Sequence, residues 1–468
     1  MERRQRSGWS WATLGAWLAI ACAGHACGGG SGSPTGGTGG VGTGIGGATA
    51  TGTGGQSGAA GGSGGNGGGM PPGAFALTSP LHGSSAQSLT PSLQWDPADG
   101  ATGYRVEIAT SASFGTANVV DQTVTGATTS FTVAASELTA GVIYQWRVTA
   151  TNGALATVAT GAPRRFSSPY LVTGAHGIGV TPDGAKLVVA SDVNNGPIAI
   201  ITLASHAITA SISTGVASQP MGIAVSPDGT QALATLLTNG SGGVNGVAVI
   251  DLVHNAWLRN ISDPCVGTTL GDVAYLPGGT EAVIPDLSSG CSAMGMSRFS
   301  LAGGSSFTFV NFNDTNDPNG VAVTPDGTTA LVTMELSRKV YKVTLPSTVT
   351  PISVPSTSAG IAVSHDGSTA VVAGTDVDVI RLADASVTTI SLTNDGPGTD
   401  FHNVAVTADG SKAVVVGTST IQVLSLATRA VLSSYPATTG TSVALSPDGT
   451  TAFVTDQGNG WVRVLQIP

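Results

Sequence analysis

From residue 168 to the C-terminus the chain alternates short apolar runs with polar turns, and the runs show no 3.6-residue rhythm. Gly222-Ile223-Ala224-Val225 is followed by Ser226-Pro227-Asp228-Gly229 and then by Ala232-Leu233-Ala234-Thr235. The same arrangement recurs at Thr181–Gly184, Leu276–Gly279, Thr324–Gly327, Ser364–Gly367, Thr407–Gly410 and Ser446–Gly449. Proline presets φ for the turn, aspartate bonds to nearby backbone, and glycine takes the positive φ that reverses the chain. Apolar runs on either side of such a turn predict a β-hairpin.

The period selects the architecture. From Pro182, the equivalent positions Pro227, Pro277, Pro325, His365, Ala408 and Pro447 follow at steps of 45, 50, 48, 40, 43 and 39. Repeats of roughly 40–50 residues with strand patterning predict a β-propeller, and seven units fall in its usual range of about four to eight blades. The second unit divides into four strands, Met221–Val225, Gln231–Thr235, Gly246–Asp251 and Ala256–Ser262. The seventh reaches only a third, Trp461–Ile467, while a spare run at Ser168–Val172 precedes the first unit. That N-terminal run is expected to complete the last blade, with Tyr170 and Val172 facing opposite to Leu171.

Gly222-Ile223-Ala224-Val225-Ser226-Pro227-Asp228-Gly229 resembles the YVTN-type propeller repeat of surface-layer and lactonase-like proteins. Leu233-Ala234-Thr235 and Phe453-Val454-Thr455 stand where that family's eponymous motif falls, without its Tyr and Asn. The resemblance implies a fold. Such proteins include enzymes, binders and others of unknown role.

Residues 74–167 carry a different alternation, at Ser92–Trp95, Tyr104–Ile108, Ser130–Val133 and Val142–Val148, separated by turns such as Asp96-Pro97-Ala98-Asp99-Gly100. Short strands at this spacing predict a β-sandwich. The segment resembles a bacterial fibronectin type III module. Trp95 matches its core tryptophan, Tyr104 the inward aromatic of the third strand, and Leu138 with Tyr144 the corner before the penultimate strand. The resemblance implies a spacer or adhesive module without catalysis. The whole chain thus reads as all-β, a fibronectin type III-like sandwich followed by a seven-bladed propeller.

Residues 1–22 read as a lipoprotein-type signal: Arg3, Arg4 and Arg6, then an apolar run from Trp9 to Ala21 too short to span a bilayer. Leu18-Ala19-Ile20-Ala21-Cys22 resembles a lipobox, which implies acylation at Cys22, with Cys27 as the alternative acceptor. Residues 23–73, almost wholly Gly, Ser, Thr and Ala, form a flexible linker able to span about 35–40 Å. The expected location is outside the cytoplasm, lipid-anchored and facing periplasm or cell exterior, or else secreted.

Charge narrows the partners. Formal net charge is −10 with no Lys/Arg cluster, which argues against nucleic acid and leaves the N-terminus as the membrane attachment. In an oxidising space Cys265 and Cys291, on loops expected to share one face, predict a disulfide that contributes about 3 kcal/mol.

Blade-to-blade loops and the loops between second and third strands ring one mouth of the channel. Aligning the repeats puts His176, Met221, Gly271, Asn319, Ala359, His402 and Thr441 in one column there, and Gly177, Gly222, Asp272, Gly320, Gly360, Asn403 and Ser442 in the next. Asp192, Asp286, Glu335 and Asp456 come from the second-to-third-strand loops. His176, Asp192, Asp286, Asn319, Glu335, His402, Asn403 and Asp456 are the candidate ligand-binding residues. A hydrolytic reading makes His176 or His402 a general base oriented by Asp272 or Asp286. A metal reading would join His176, His402, Asp192 and Asp456, but ordinary solvated rim residues account for these side chains without a metal. Nucleophile-elbow, Walker A and zinc-finger patterns are absent, and no cofactor is expected. The expected function is a tethered binding or scaffold protein whose ring docks a protein or glycan; the alternative is a lactonase-like or other hydrolase acting at the channel mouth.

Overall fold

Strands form wherever runs of Val, Ile, Leu and Ala stand between glycine-bearing turns. The computed structural model describes residues 70–468 apart from 86, 216–217, 238–245, 263–270, 289–292, 303–306, 336 and 393–400. The predicted sites Cys22, Cys27, Cys265 and Cys291 lie outside the described residues, as does the side chain of His402.

The N-terminal part is a two-sheet sandwich. One sheet is ordered β1 (Leu77–Ser79), β2 (Ser92–Trp95) and β5 (Ser130–Thr132). The other runs β4 (Asn118–Thr125), β3 (Gly103–Ala109), β6 (Ile143–Asn152) and β7 (Leu155–Val158), with β8 (Arg164–Ser167) also pairing to β6. Trp95, Tyr104, Val106, Ile108, Trp146 and Val148 fill the space between the sheets. Tyr144 Oη accepts from the Thr139 amide at 2.7 Å beside buried Leu138, the corner expected from the sequence.

The remainder is a ring of seven four-stranded sheets. Blades 1–6 span residues 175–212, 219–261, 274–311, 318–353, 358–390 and 401–436, their strands a–d taken in chain order. Blade 7 takes three strands from 440–466 and a fourth, β9 (Tyr170–Leu171), from the N-terminal side. First strands of successive blades touch all the way round, blade 7 to blade 1 included. Seven apolar clusters lie one between each neighbouring pair; Leu233, Val249, Tyr275 and Ile284, for example, join blades 2 and 3. Both faces of a blade are therefore covered, which is why strand b of blade 2 (Gln231–Leu237) is a continuous apolar run without alternation.

The repeated turn has one geometry. In blade 2 the Gly229 amide donates to Ser226 O (2.9 Å) at φ 71°, and Ser226 Oγ (2.6 Å) and the Thr230 amide (3.0 Å) donate to Asp228 Oδ1. Leu276–Gly279 keeps the backbone bond although it lacks the aspartate. A second repeat had no sequence cue strong enough to flag it. Leu203, Leu252, Leu301, Leu345, Leu382, Leu426 and Ile467, just past each strand c, donate their amides to the residue before strand b.

The closing strand is shorter than the expected Ser168–Val172. Trp461 pairs with Leu171 and Val462 with Tyr170, the Val172 amide adds one bond to Gly460 O (2.9 Å), and the strand pairing does not continue past Val462. Alternation holds: Tyr170 and Val172 are buried, whereas Leu171 is 60% exposed.

Candidate functional site

The channel mouth is built from a defect repeated in the inner strands. Strand a slips register against strand b between Ala175 and Ile178, Pro220 and Ile223, Pro318 and Val321, and Ser358 and Ile361, with shorter slips at Phe401/Asn403 and Gly440/Ser442. These bulges fall on the two aligned columns and free their backbone groups from the ladder. In blades 2, 4 and 7 a strand-b threonine catches them. Thr235 Oγ1 accepts from the Gly222 amide (2.8 Å) and donates to Gly271 O of the next blade (3.1 Å). Thr333 links Gly320 to Ala359 O in the same way, and Thr455 links Ser442 to His176 O (2.6 Å). Neither residue type nor spacing marked these threonines as special. The available signal was their recurrence at one position in three of the seven repeats.

Glycine fills much of the second column because neighbouring backbones crowd it. A Cβ would stand 2.0 Å from Met221 O at Gly177, 2.8 Å from Gly271 O at Gly222 and 2.6 Å from Ala359 O at Gly320. Blade 3 places Asp272 in that column, its amide donating to Asn319 O at 3.2 Å. The residue is half-buried. Desolvation by surrounding protein pushes its carboxyl up to about 6, and no described side chain donates a hydrogen bond to it.

That shift predicts a pH-dependent penalty. The carboxyl titrates higher folded than unfolded, so ionising it costs stability: nothing below pH 4, progressively more to pH 6, and the full amount above. Two pKa units correspond to up to about 3 kcal/mol, reduced because the side chain is only half-buried. Asp272→Asn should therefore raise the melting temperature at pH 8 and leave it near wild type at pH 4. An equal shift at both pH values would contradict this. The turn aspartates run the opposite way. Hydroxyl hydrogen bonds from Ser364 and Thr407 pull Asp366 and Asp409 down to about 2, so their contribution is present above pH 4 and lost toward pH 2.

His176, Asn319 and Asn403 are half-buried at the expected positions, and Thr441 Oγ1 reaches His176 O at 3.1 Å. Thus the structure unites the columns around one ring. It separates several loop candidates from that ring by committing them elsewhere. Asp456, expected as a ligand-binding residue, is fully buried against the Arg463 guanidinium, whose Nε donates to its Oδ2 at 2.6 Å. Asp286 is buried within the sheet of blade 3 and accepts from Ser297 Oγ. Asp192 accepts from Gln457 Nε2, and burial raises its carboxyl. Glu335 is exposed, its amide donating to Asp317 O at 2.8 Å. Among the described residues no group of three His, Cys, Asp or Glu side chains is placed to hold a metal ion.

Sequence reasoning passed over the acids on the blade 3–4 connection. Burial alone would raise Asp314, but Lys339, Tyr341 and Asn316 hold it well below the usual range. At the loop end of the ring, among the described residues, Asp192, Asp272, Asp317, Glu335 and Asp376 keep surface in water against Arg338, Asp314 is paired with Lys339, and Asp286, Asp378 and the Asp456–Arg463 pair are buried in the blades. At the opposite end nine acids meet Lys186, Arg259, Arg298, Lys342, Arg381, Lys412 and Arg429. The mouth end is thus the acidic one.

Among the described residues no helix is long and apolar enough to cross a membrane. No curated protein matches the chain. Solved structures do. Hydrazine synthase of Kuenenia stuttgartiensis superposes with a TM-score of 0.54 at 18% identity, covering 63% of this chain and 96% of that one. The Swd1 β-propeller domain of Myceliophteria thermophila gives a TM-score of 0.54 at 8% identity, covering 64% and 99%. At these identities the likeness is one of fold. A family model described as fibronectin type III domain matches residues 78–164, so the chain joins a fibronectin type III module to a β-propeller.

Proposed function

We propose that the chain is an exported, lipid-anchored binding protein whose propeller docks a partner at its acidic mouth end, with the sandwich between tether and ring. The observation that carries this reading is the charge asymmetry between the two ends of the ring. An acid-rich, loop-bearing face attracts a cationic partner and speeds its encounter. We favour a protein presenting lysine or arginine over a glycan for that reason. The loop residues are also the ones free to vary without disturbing the blade cores. The signal-like segment and the linker support export and tethering.

Two measurements test it. Detergent partitioning should move the intact protein, and not its Cys22→Ser form, into the detergent phase; equal aqueous behaviour of both would remove acylation at Cys22. Binding of a lysine-rich peptide at low ionic strength should weaken with Glu335→Gln plus Asp317→Asn, both exposed at the loop end, and persist with Asp384→Asn at the opposite end. Equal loss from both ends would assign the attraction to net charge and overturn a docking face.

A further inference from the structure

Closure of blade 7 is far thinner than the outer edge of any other blade. The outer strands of blades 1–6 contain five to seven residues, whereas β9 contributes two. Beyond Val462, strand c of blade 7 would be left with an unpaired edge inside the molecule. The sandwich covers it. Ser167, the last residue of β8, donates from Oγ to Val464 O at 2.6 Å, and Arg165 donates to Gln466 Oε1. Ser168 is stitched back into the sandwich, its amide bonded to Val142 O (3.1 Å) and its hydroxyl to Thr139 O (2.6 Å). Ala140 and Ile143 of the sandwich pack on the apolar cluster between blades 7 and 1, around Tyr170.

We propose that the fibronectin type III module is the clasp of the propeller: its last strand and corner supply the outer edge that the two-residue closing strand cannot. The partner this surface of the ring fits is the sandwich of the same chain. The module is then part of the ring's cooperative unit. This rests on the seam alone and stands whether or not the mouth binds a partner.

Hydrogen exchange of the full exported chain, read by mass spectrometry, tests it. Val106→Ala opens a cavity in the sandwich core, on a strand, β3, that makes none of the seam bonds. Exchange should rise on the order of tenfold in sandwich peptides and in the peptide over 460–467 together, and less in 329–344 of blade 4. Ser167→Ala leaves the sandwich core intact, and should accelerate 460–467 by about threefold or more through loss of the Val464 bond. Wild-type protection of 460–467 in a folded Val106→Ala protein whose sandwich peptides exchange faster would overturn the clasp. So would wild-type protection in Ser167→Ala, which decides alone if Val106→Ala does not fold.

Discussion

Replacing Arg463 with methionine is expected to remove about 3–5 kcal/mol of stability, the range for breaking a buried ion pair from one side. Arg463 is 5% exposed and Asp456 is 0% exposed. The guanidinium also donates to Pro436 O (2.7 Å) and Ser85 Oγ (3.2 Å), so it ties blade 7 to blade 6 and to the sandwich. Asp456 Oδ2 keeps weaker donors in the Thr438 amide and Asn459 Nδ2, both at 3.2 Å. These do not neutralise a charge held out of water. Combining Arg463→Met with Asp456→Asn should therefore recover a large part of the loss, because it removes the stranded charge. Denaturant titration of the single and double variants measures both. A single variant no less stable than the double would contradict the ion-pair account.

Gly141→Ala is expected to cost about 3 kcal/mol, well beyond an ordinary glycine substitution. Gly141 has φ 73°, a region costing an alanine about 1–2 kcal/mol. A Cβ there would also lie 1.9 Å from Tyr170 Cζ, so the ring must leave its place. Tyr170 Oη approaches His206 Nδ1 of blade 1 at 3.1 Å, and moving it disturbs the contact between blades 7 and 1 as well as the sandwich. Gly126 provides the control: φ is 76°, and a Cβ would meet nothing within 4 Å. Thermal melts of Gly141→Ala and Gly126→Ala should differ by the packing part alone. Equal losses would show that backbone strain is the whole effect and that Tyr170 is not wedged against the corner.

The two replacements also show which features were legible beforehand. Trp95, Tyr104, Leu138 and Tyr144 could be placed because each acts within one module over a short stretch of chain. The mouth columns were equally readable: their alignment follows from the repeat, and the bulges carry His176, Asn319 and Asn403 to equivalent positions. Asp456 and Asp286 looked like rim ligands because the repeat puts both where a second strand should give way to a loop; Asp456 does end its strand, but Asp286 lies inside Glu281–Ser288. Their fate depends on Arg463 and Ser297, residues met only across a folded sheet. Nothing in local spacing distinguishes an aspartate facing solvent from one paired inside.

What the sequence determined by itself is therefore the strand and turn inventory, the period, and the count of seven. Turns act over four residues and strand propensity over five or six, so local chemistry suffices. The spare run at 168–172, ahead of the first unit, was also visible in the chain. Only the tertiary structure decided how the ring is sealed. Two residues of β9 pair, and β8 with the Ala140–Ile143 corner completes the edge. It likewise decided that Asp272 is the carboxylate set among crowded backbones at the mouth. Both outcomes depend on distances between residues hundreds of positions apart or on neighbouring blades. Burial and unmet hydrogen bonds are set there, after the chain has closed on itself.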